Sequence, residues 1–555
     1  MRRTAFGPSV VAHIKELKMA EEIKTDYCIL GGGIAGILLA SQLVSSGKKI
    51  TIIDQGPRFS EEDRANMLQQ SKKDLNDFAD YNDDVDPSII TPLSSETAKD
   101  DVIEWTNYRL FGLGGTALHF QGIMMRPTEE DMKVRSLFGY GRDWPISYAD
   151  LEPWLLKAEY EIGVAANEDN PYASHRSGSF PMPGHPPSYF DSEFFAPGLK
   201  KMGMAGHSCP ISVNSVPYRG RSGCLACRAC KFCPSGARYS PDRVHIPILE
   251  KHENVEIIEH LSVRRLETNQ EGNKIVAAHA LRIQDKSEVT ILANNFIVAM
   301  GGVETARMLL LSADHHHHKD GLGNMGGQLG RGFSDHLSPY ITYDMGKPIG
   351  NRLGFETMTS DHFRTNADRN EHPTFSLFSS PAMDWFPIGN EATMWSSKNN
   401  RLSLDELRER IPRMATIVSY GIENVNTGSM LELDKDILDA FGDPVAKITF
   451  KLTDWDMQGY HKFTEVATKL GEAMGAQDIS EVSPPGANVG YHPSGATAMA
   501  KNPDKGVCDE NLKVFGLKNL HIVSNSVFPH MGANVPTLTI SALALRLADH
   551  LKGIK

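Results

Sequence analysis

The sequence predicts an α/β fold built on a Rossmann-like nucleotide-binding domain, and three observations carry that expectation. Residues 26–54 read DYCILGGGIAGILLASQLVSSGKKITIID: a short apolar run, a glycine turn, an apolar stretch of helical character, then a second strand-like run ending in Asp54. At 555 residues the chain can bury a large core and divide into more than one domain. The segment 335–480 adds further strand-like runs at Tyr340–Tyr343, Thr374–Phe378 and Lys447–Lys451. Within it Ala446–Asp454, AKITFKLTD, alternates polar and apolar residues as a half-buried strand does, and a helix is expected from Gly459 to Met474.

In the first element the apolar run Tyr27–Leu30 meets Gly31, Gly33 and Gly36 in the spacing G-x-G-x-x-G. These glycines permit a tight turn and let a pyrophosphate approach a helix N-terminus, where free N–H groups and the helix dipole favour anions. Asp54, at the end of the second run Ile50–Ile53, is placed to accept hydrogen bonds from a ribose hydroxyl. The motif does not choose between FAD and NAD.

Composition narrows the function. The hydrophobic share of 40% and charged share of 23% are those of an ordinary globular protein. A net charge of −12 with no long basic run argues against a nucleic-acid partner. No apolar run reaches the roughly 18 residues of a membrane span. The N-terminal residues 1–23 read as an extension; Arg2 and Arg3 precede no continuous apolar region, which makes a poor signal peptide. Cys28, Cys209 and Cys508 are scattered and suggest no disulfide framework. His315–His318, flanked by Asp314 and Lys319, reads as a solvated loop tip, with adventitious metal binding as the alternative.

The remaining four of the seven cysteines stand in Gly223–Gly236, GCLACRACKFCPSG. Cys224, Cys227, Cys230 and Cys233 fall at a strict three-residue spacing, with Pro234 after the last. Thiols so close cannot readily form two unstrained disulfides but can wrap one metal centre. Runs of this form ending in Cys-Pro bind iron–sulfur clusters, here [3Fe-4S] or [4Fe-4S]. Four-thiolate zinc is the main rival, although structural zinc usually takes two pairs separated by a longer loop, and a redox disulfide is the third reading.

Four further segments carry a resemblance: FGLGGTALHFQGIMMRP (Phe111–Pro127), RDWPISYADLEPWLLKAEYEIGV (Arg142–Val164), FIVAMGGVETARMLLLS (Phe296–Ser312) and the C-terminal block with NVGYHPSGATAMA and GANVPTLTISALALRLADH. Together with the N-terminal glycines they resemble the glucose–methanol–choline family of FAD-dependent oxidoreductases, across nearly the whole chain. The position of the cysteine run is similar to that in the iron–sulfur sugar dehydrogenase large subunits of that family (fructose, gluconate, glucose and glucoside 3-dehydrogenases). The HPSG and GAN-PTLT portions are similar to pyranose oxidases.

The resemblance implies a discontinuous FAD-binding domain: 24–334, with the cysteine insertion at 209–241, and a C-terminal part at 481–555. Between them, 335–480 would form a substrate-binding domain of antiparallel sheet plus helices. It places FAD against Gly31, Gly33, Gly36 and Asp54, against Gly114, Gly115, Thr116 and His119, and against Val263, Ala299, Gly301, Asn525 and Thr537. His119 matches by spacing the histidine that binds flavin covalently in pyranose oxidases; the alternative is a ring packed beside the flavin without a bond. The expected catalytic pair is His492, as the base that takes a hydroxyl proton, and Asn534, whose amide holds the hydroxyl oxygen. Where the family commonly reads Asn-Pro-Thr, this chain has Asn534-Val535-Pro536-Thr537, one residue more.

The implied function is a sugar or glycoside dehydrogenase, with C3 of a glucoside as the candidate position, hydride passing to the flavin and electrons leaving through the cluster to a cytochrome c. The alternative is a pyranose-oxidase-like enzyme using oxygen, its cysteines on structural zinc. Similar large subunits are exported folded with a small Tat-signal subunit, implying a periplasmic enzyme; a cytoplasmic one fits the N-terminus equally.

Overall fold

A computed structural model describes residues 21–73, 81, 85–96, 109–350, 354–365, 367–380, 404–424, 428–484 and 489–553. Of the expected extension, residues 1–20 lie outside the described residues, while Glu21–Ile23 open the first strand.

The central sheet is α/β, as predicted. Strand β1 (Glu21–Leu30) pairs in parallel with β2 (Ile50–Ile53), registering Tyr27 with Ile50 and Leu30 with Ile53. Every residue of β2 is buried, as are Tyr27–Leu30. Burial on both faces explains why these segments read as continuous apolar runs rather than alternating ones. Between them α1 (Ile34–Leu43) is apolar all round because it packs on the sheet and, on its outer side, on the C-terminal helix.

Later strands number in chain order: β3 (Leu93–Glu96), β4 (His207–Ser208), β5 (Val255–Ile258), β6 (Leu261–Thr268), β7 (Ile275–Arg282) and β8 (Glu288–Val298). β5 extends the parallel sheet beyond β2, and β8 lies on the other side of β1. β8 is long enough to serve two neighbours. Its first residues, Glu288–Ile291, pair antiparallel with β7, and its last, Phe296–Val298, pair in parallel with a strand from the far end of the chain.

A second, six-stranded antiparallel sheet is formed by β4, β9 (Tyr340–Asp344), β10 (Met358–Ser360), β11 (Leu377–Ser380), β12 (Met414–Val418) and β15 (Asp478–Val482). A three-stranded sheet joins β13 (Met430–Leu438), β14 (Pro444–Thr449) and β3. The last strand, β16 (Leu520–Ile522), is the one that closes on β8. Each of the two larger sheets has its own apolar core. The strand-like runs at 340–343, 374–378 and 447–451 are strands shifted by up to three residues at their starts.

Four more helices matter for the site. α2 (Tyr148–Ile162) starts at a reciprocal Ser147–Asp150 capping box, and α3 (Gly301–Leu311) follows β8 directly. α4 (Asp454–Met474) starts at a second capping box, Thr453–Asp456, five residues before the expected Gly459. α5 (Thr537–Gly553) packs against α1 and α2, with the Tyr27 hydroxyl donating to the Leu551 carbonyl at 3.4 Å.

The His315–His318 run is exposed in part but is not a free tip. The His317 and His318 rings donate from Nε2 to the carbonyls of Gln270 (2.9 Å) and Gly272 (2.7 Å), and Asp314 Oδ1 accepts the N–H groups of residues 316–318. The loop is pinned to the β6–β7 turn.

Gly36 shows how tightly the glycine turn is built. A Cβ there would collide with the Gly31 carbonyl oxygen and crowd Ile29 and Ala299. Replacing Gly36 by Ala is expected to cost about 1–3 kcal/mol in urea unfolding and to lower the flavin content of the purified protein, read from its absorbance.

Candidate active site

A cavity of about 660 Å³ opens where the β1–α1 turn, the β8–α3 turn and the start of α5 converge. Its walls also take in residues 109–112, 115–117 and 119–123, with Asp335, Ser338, Tyr340 and residues 489–493. Helices α1, α3 and α5 all present their first turns to it through Ile34, Gly301 and Thr537. No side chain caps the start of α1, and the first turns of α1 and α5 hold no acidic residue. These N-terminal N–H groups form a receptive wall for a diphosphate.

Most of the expected cofactor residues line this cavity: Gly31, Gly33, Asp54, Gly115, Thr116, His119, Val263, Ala299, Gly301, Asn525 and Thr537. Gly36 and Gly114 do not. Gly36 sits one helical turn in, where its lack of a side chain lets α1 approach Gly31. Gly114, at φ 114°, stands behind the wall, its N–H donating to the Gly32 carbonyl at 2.9 Å. The Asp54 carboxylate holds the turn: Oδ2 accepts the Gly32 N–H and Oδ1 the Gly56 N–H, both at 2.8 Å. Burial raises its pKa, and those two N–H bonds oppose the shift. Asn525 Oδ1 is buried without a hydrogen-bond partner among the described residues, an acceptor for a donor group of the cofactor. The size, the glycine-lined turn, the helix starts and this acceptor together fit a flavin nucleotide.

His492 lines the cavity, but its neighbour is not Asn534. His492 Nδ1 stands 2.9 Å from Nδ1 of His336, whose Nε2 donates to the Gly532 carbonyl at 2.8 Å. Asp335 Oδ1 accepts the backbone N–H groups of His336 (2.7 Å) and His492 (2.8 Å). Burial lowers the pKa of His336 to about 4 and that of His492 well below the usual value, and raises that of Asp335 to about 7. Both imidazoles are therefore neutral at physiological pH, the state a proton acceptor needs.

Asn534, expected as the partner of His492, is not among the residues that line the cavity. Its side chain is buried away from the cavity, with Nδ2 donating to Thr539 Oγ1 at 3.4 Å in the first turn of α5. Val535, the residue beyond the family's common spacing, takes the lining position instead.

Sequence reasoning also missed a polar wall. The Tyr420 hydroxyl lines the cavity and donates to the buried Glu356 carboxylate, while Gln121 Nε2 donates to it at 2.9 Å and Ser380 Oγ lies 3.0 Å away. Gln121 lies two residues past His119 and was open to suspicion on that ground. Tyr420, Glu356 and His336 come from separate strands and loops, and no local pattern marks them.

The four-cysteine run lies directly behind one wall. The buried Arg238 guanidinium donates to the Cys230 (2.8 Å) and Lys231 (2.9 Å) carbonyls on one side. On the other it donates to the carbonyls of Ala117 (3.1 Å), Leu118 and Phe120 (2.8 Å), flanking His119. Lys231 itself lines the cavity. Cys233 Sγ accepts the Arg238 N–H at 3.2 Å and Cys224 Sγ the Ala226 N–H at 3.4 Å. Ala226, Arg228 and Cys233 all adopt positive φ, a concentration of backbone strain in one short loop. Burial pushes the Cys224 and Cys230 thiols up, a shift that a bound cation would reverse. Among the described residues, however, no three His, Cys, Asp or Glu side chains are gathered closely enough to hold a metal ion. The donor chemistry suits a cluster, while the thiols are not closed around one point.

Comparison with known proteins agrees with this geometry. The GMC oxidoreductase family matches over residues 109–338 and again over 427–544, and an NAD(P)-binding Rossmann-like domain matches 29–64. The fructose dehydrogenase large subunit of Gluconobacter japonicus is 28% identical, over 95% of this chain and 98% of its own. The 6'''-hydroxyparomomycin C oxidase of Streptomyces lividus is 26% identical, over 95% and 92%. A crystal structure of formate oxidase superposes with a TM-score of 0.67 at 16% identity, covering 96% of this chain and 99% of that one. The formate oxidase of Aspergillus oryzae has been studied for modification of its FAD. The chain belongs to the GMC oxidoreductase family, whose members act on alcohol groups, and FAD is its cofactor.

Proposed function

We propose that this protein is the catalytic subunit of an FAD-dependent sugar dehydrogenase that oxidises a ring hydroxyl of a sugar or glycoside, C3 of a glucoside being the preferred candidate. The observation that carries the reading is the placement of a neutral His492 and a hydrogen-bonded polar wall on the same cavity. A sterol-like or simple alkyl alcohol needs one polar group and an apolar enclosure. A sugar needs several donors and acceptors, because a site left with unpaired polar groups rejects its ligand. Gln121 offers such groups: Tyr420 fixes one amide N–H, leaving the carboxamide oriented for further hydroxyls.

When bound, the flavin supplies the hydride acceptor. The chain's part is to remove the hydroxyl proton as the hydride departs, so that no charge is stranded on the carbinol carbon. His492 is the group in the cavity suited to that transfer, and Asp335, anchoring the backbone N–H groups of both histidines, keeps it in place. His119, on the cavity wall, would pack beside the bound flavin without a covalent bond.

Cys224, Cys227, Cys230 and Cys233 would hold an iron–sulfur cluster, which supplies a one-electron outlet. Support comes from their spacing, from the N–H···S bonds already formed, and from the Arg238 tie between the run and the cavity wall. A haem protein such as a cytochrome c is then the fitting acceptor, and export with a small Tat-signal partner the fitting route to the periplasm. The likeness to a Streptomyces oxidase favours a second reading, in which oxygen reoxidises the flavin and the thiols hold zinc.

Three outcomes are expected. Exchanging His492 for Gln should leave FAD bound but slow substrate-driven flavin bleaching by about 10²–10⁴-fold, measured by rapid mixing under anaerobic conditions; an unaltered rate removes His492 as the base. Elemental analysis should find iron and acid-labile sulfide. Both should be lost in Cys230→Ser, which still bleaches with sugar but no longer reduces an added cytochrome c. Zinc in place of iron, with hydrogen peroxide formed at the rate of sugar oxidation, would establish the second reading. Acid precipitation should release the yellow colour to the supernatant; colour retained by the polypeptide would show a covalent bond.

A further inference from the structure

We propose that His336 fixes the tautomer of His492, so that Nε2 of His492, facing the cavity, is the nitrogen that accepts the substrate proton. This rests on the reading of His492 as the base and goes further, assigning the nitrogen and the residue that selects it.

Hydrogen-bond donors and acceptors around the two rings decide where each proton sits. The Gly532 carbonyl only accepts, so the 2.8 Å contact with His336 requires a proton on His336 Nε2. A neutral imidazole has one N–H, which leaves His336 Nδ1 as a bare acceptor. Nδ1 of His492 lies 2.9 Å from it, and two bare nitrogens at that distance would face lone pair to lone pair. His492 Nδ1 therefore carries the proton and donates it to His336. The free lone pair of His492 is then on Nε2, and His492 lines the cavity.

The rings meet nearly edge to face, at 83° with centroids 5.1 Å apart. Asp335 Oδ1 holds the backbone N–H of both residues, so neither ring can drift along the chain. On taking the substrate proton, His492 becomes an imidazolium that still donates from Nδ1 to His336, and no second proton moves. The substrate O–H and carbinol C–H bonds break while His492 Nε2–H and the C=O double bond form; the O–H electron pair becomes the second C–O bond, and the C–H pair would leave with the hydride for the bound flavin.

The charged and titratable groups around His336 are few and accounted for. Asp335 and His492 are its direct neighbours. Beyond them stand His530, Glu423 and Asp131. His530 Nε2 lies 2.6 Å from Glu423, and Arg369 pairs with both Glu423 (3.2 Å) and Asp131 (2.6 Å). The charges of these groups pair with one another, and burial keeps His336 neutral. His336 is accordingly a positioning residue: it touches neither substrate nor flavin in this scheme.

The test reads the tautomer directly. The holoenzyme labelled with ¹⁵N-histidine, with His492→Gln and His336→Asn spectra for assignment, should show His492 protonated at Nδ1 and bare at Nε2 at neutral pH. His336→Leu, which removes the acceptor, should give a mixed tautomer and reduce the flavin-bleaching rate by about 10²-fold with KM nearly constant. His336→Asn, whose Oδ1 can accept from His492 Nδ1, should restore the single tautomer and most of the rate. A wild-type spectrum with the proton on Nε2, or with both forms populated, overturns the proposal whether or not the variants fold. So does a His336→Leu enzyme with unaltered rate and pH profile. Failure of every sugar to bleach the wild-type flavin would instead overturn the substrate reading and leave the tautomer result standing.

Discussion

Strand β8 is the joint on which this molecule depends. Its last residues, Phe296–Val298, lie between β1 from the start of the chain and β16 from near its end. The chain then turns at Ala299–Gly301 into α3, at the edge of the cavity. The glycine turn and the segment carrying His492 are hundreds of residues apart, and the two-sided pairing of β8, with the packing of α5 on α1, brings them together. All three pairings that converge at this end of the sheet are parallel, so the strands deliver their C-terminal ends, and the helix starts that follow, to the same side.

On that frame the corner around His492 is assembled from hydrogen-bonded polar groups. Two buried imidazoles, a carboxyl whose oxygen is committed to backbone N–H groups, and a tyrosine bonded to a buried glutamate provide directed polarity there. A free ion in such surroundings would be costly unless paired. The charged groups that do occur nearby are compensated, as in the Arg369–Asp131–Glu423–His530 cluster behind His336. Burial thus does the same work at each position: it holds the bases unprotonated and makes each hydrogen bond count for more than it would in water.

The fold was legible where local chemistry determines it. The apolar runs of β1 and β2 read as strands because both faces are buried, and the β1–α1 glycines could be placed because few other sequences make that turn. The interior of the site was legible only in part. His492 sits in a recognisable block, but His336 reaches it from a loop 156 residues earlier, a pairing no periodicity encodes. Asn534 stands one residue further from Pro536 than the family's common spacing, and its amide meets Thr539 rather than the cavity lining. Gly36 and Gly114 match cofactor motifs yet serve the backbone packing behind the wall, a distinction that spacing cannot draw.

Arg238 has a consequence for how the wall around His119 is held. One guanidinium holds carbonyls from the cysteine loop and carbonyls flanking His119, so the two segments share a single set of bonds. Whatever orders the thiol loop from one side also orders the His119 segment from the other, so loop and wall tighten or loosen together with the bonds of this one side chain.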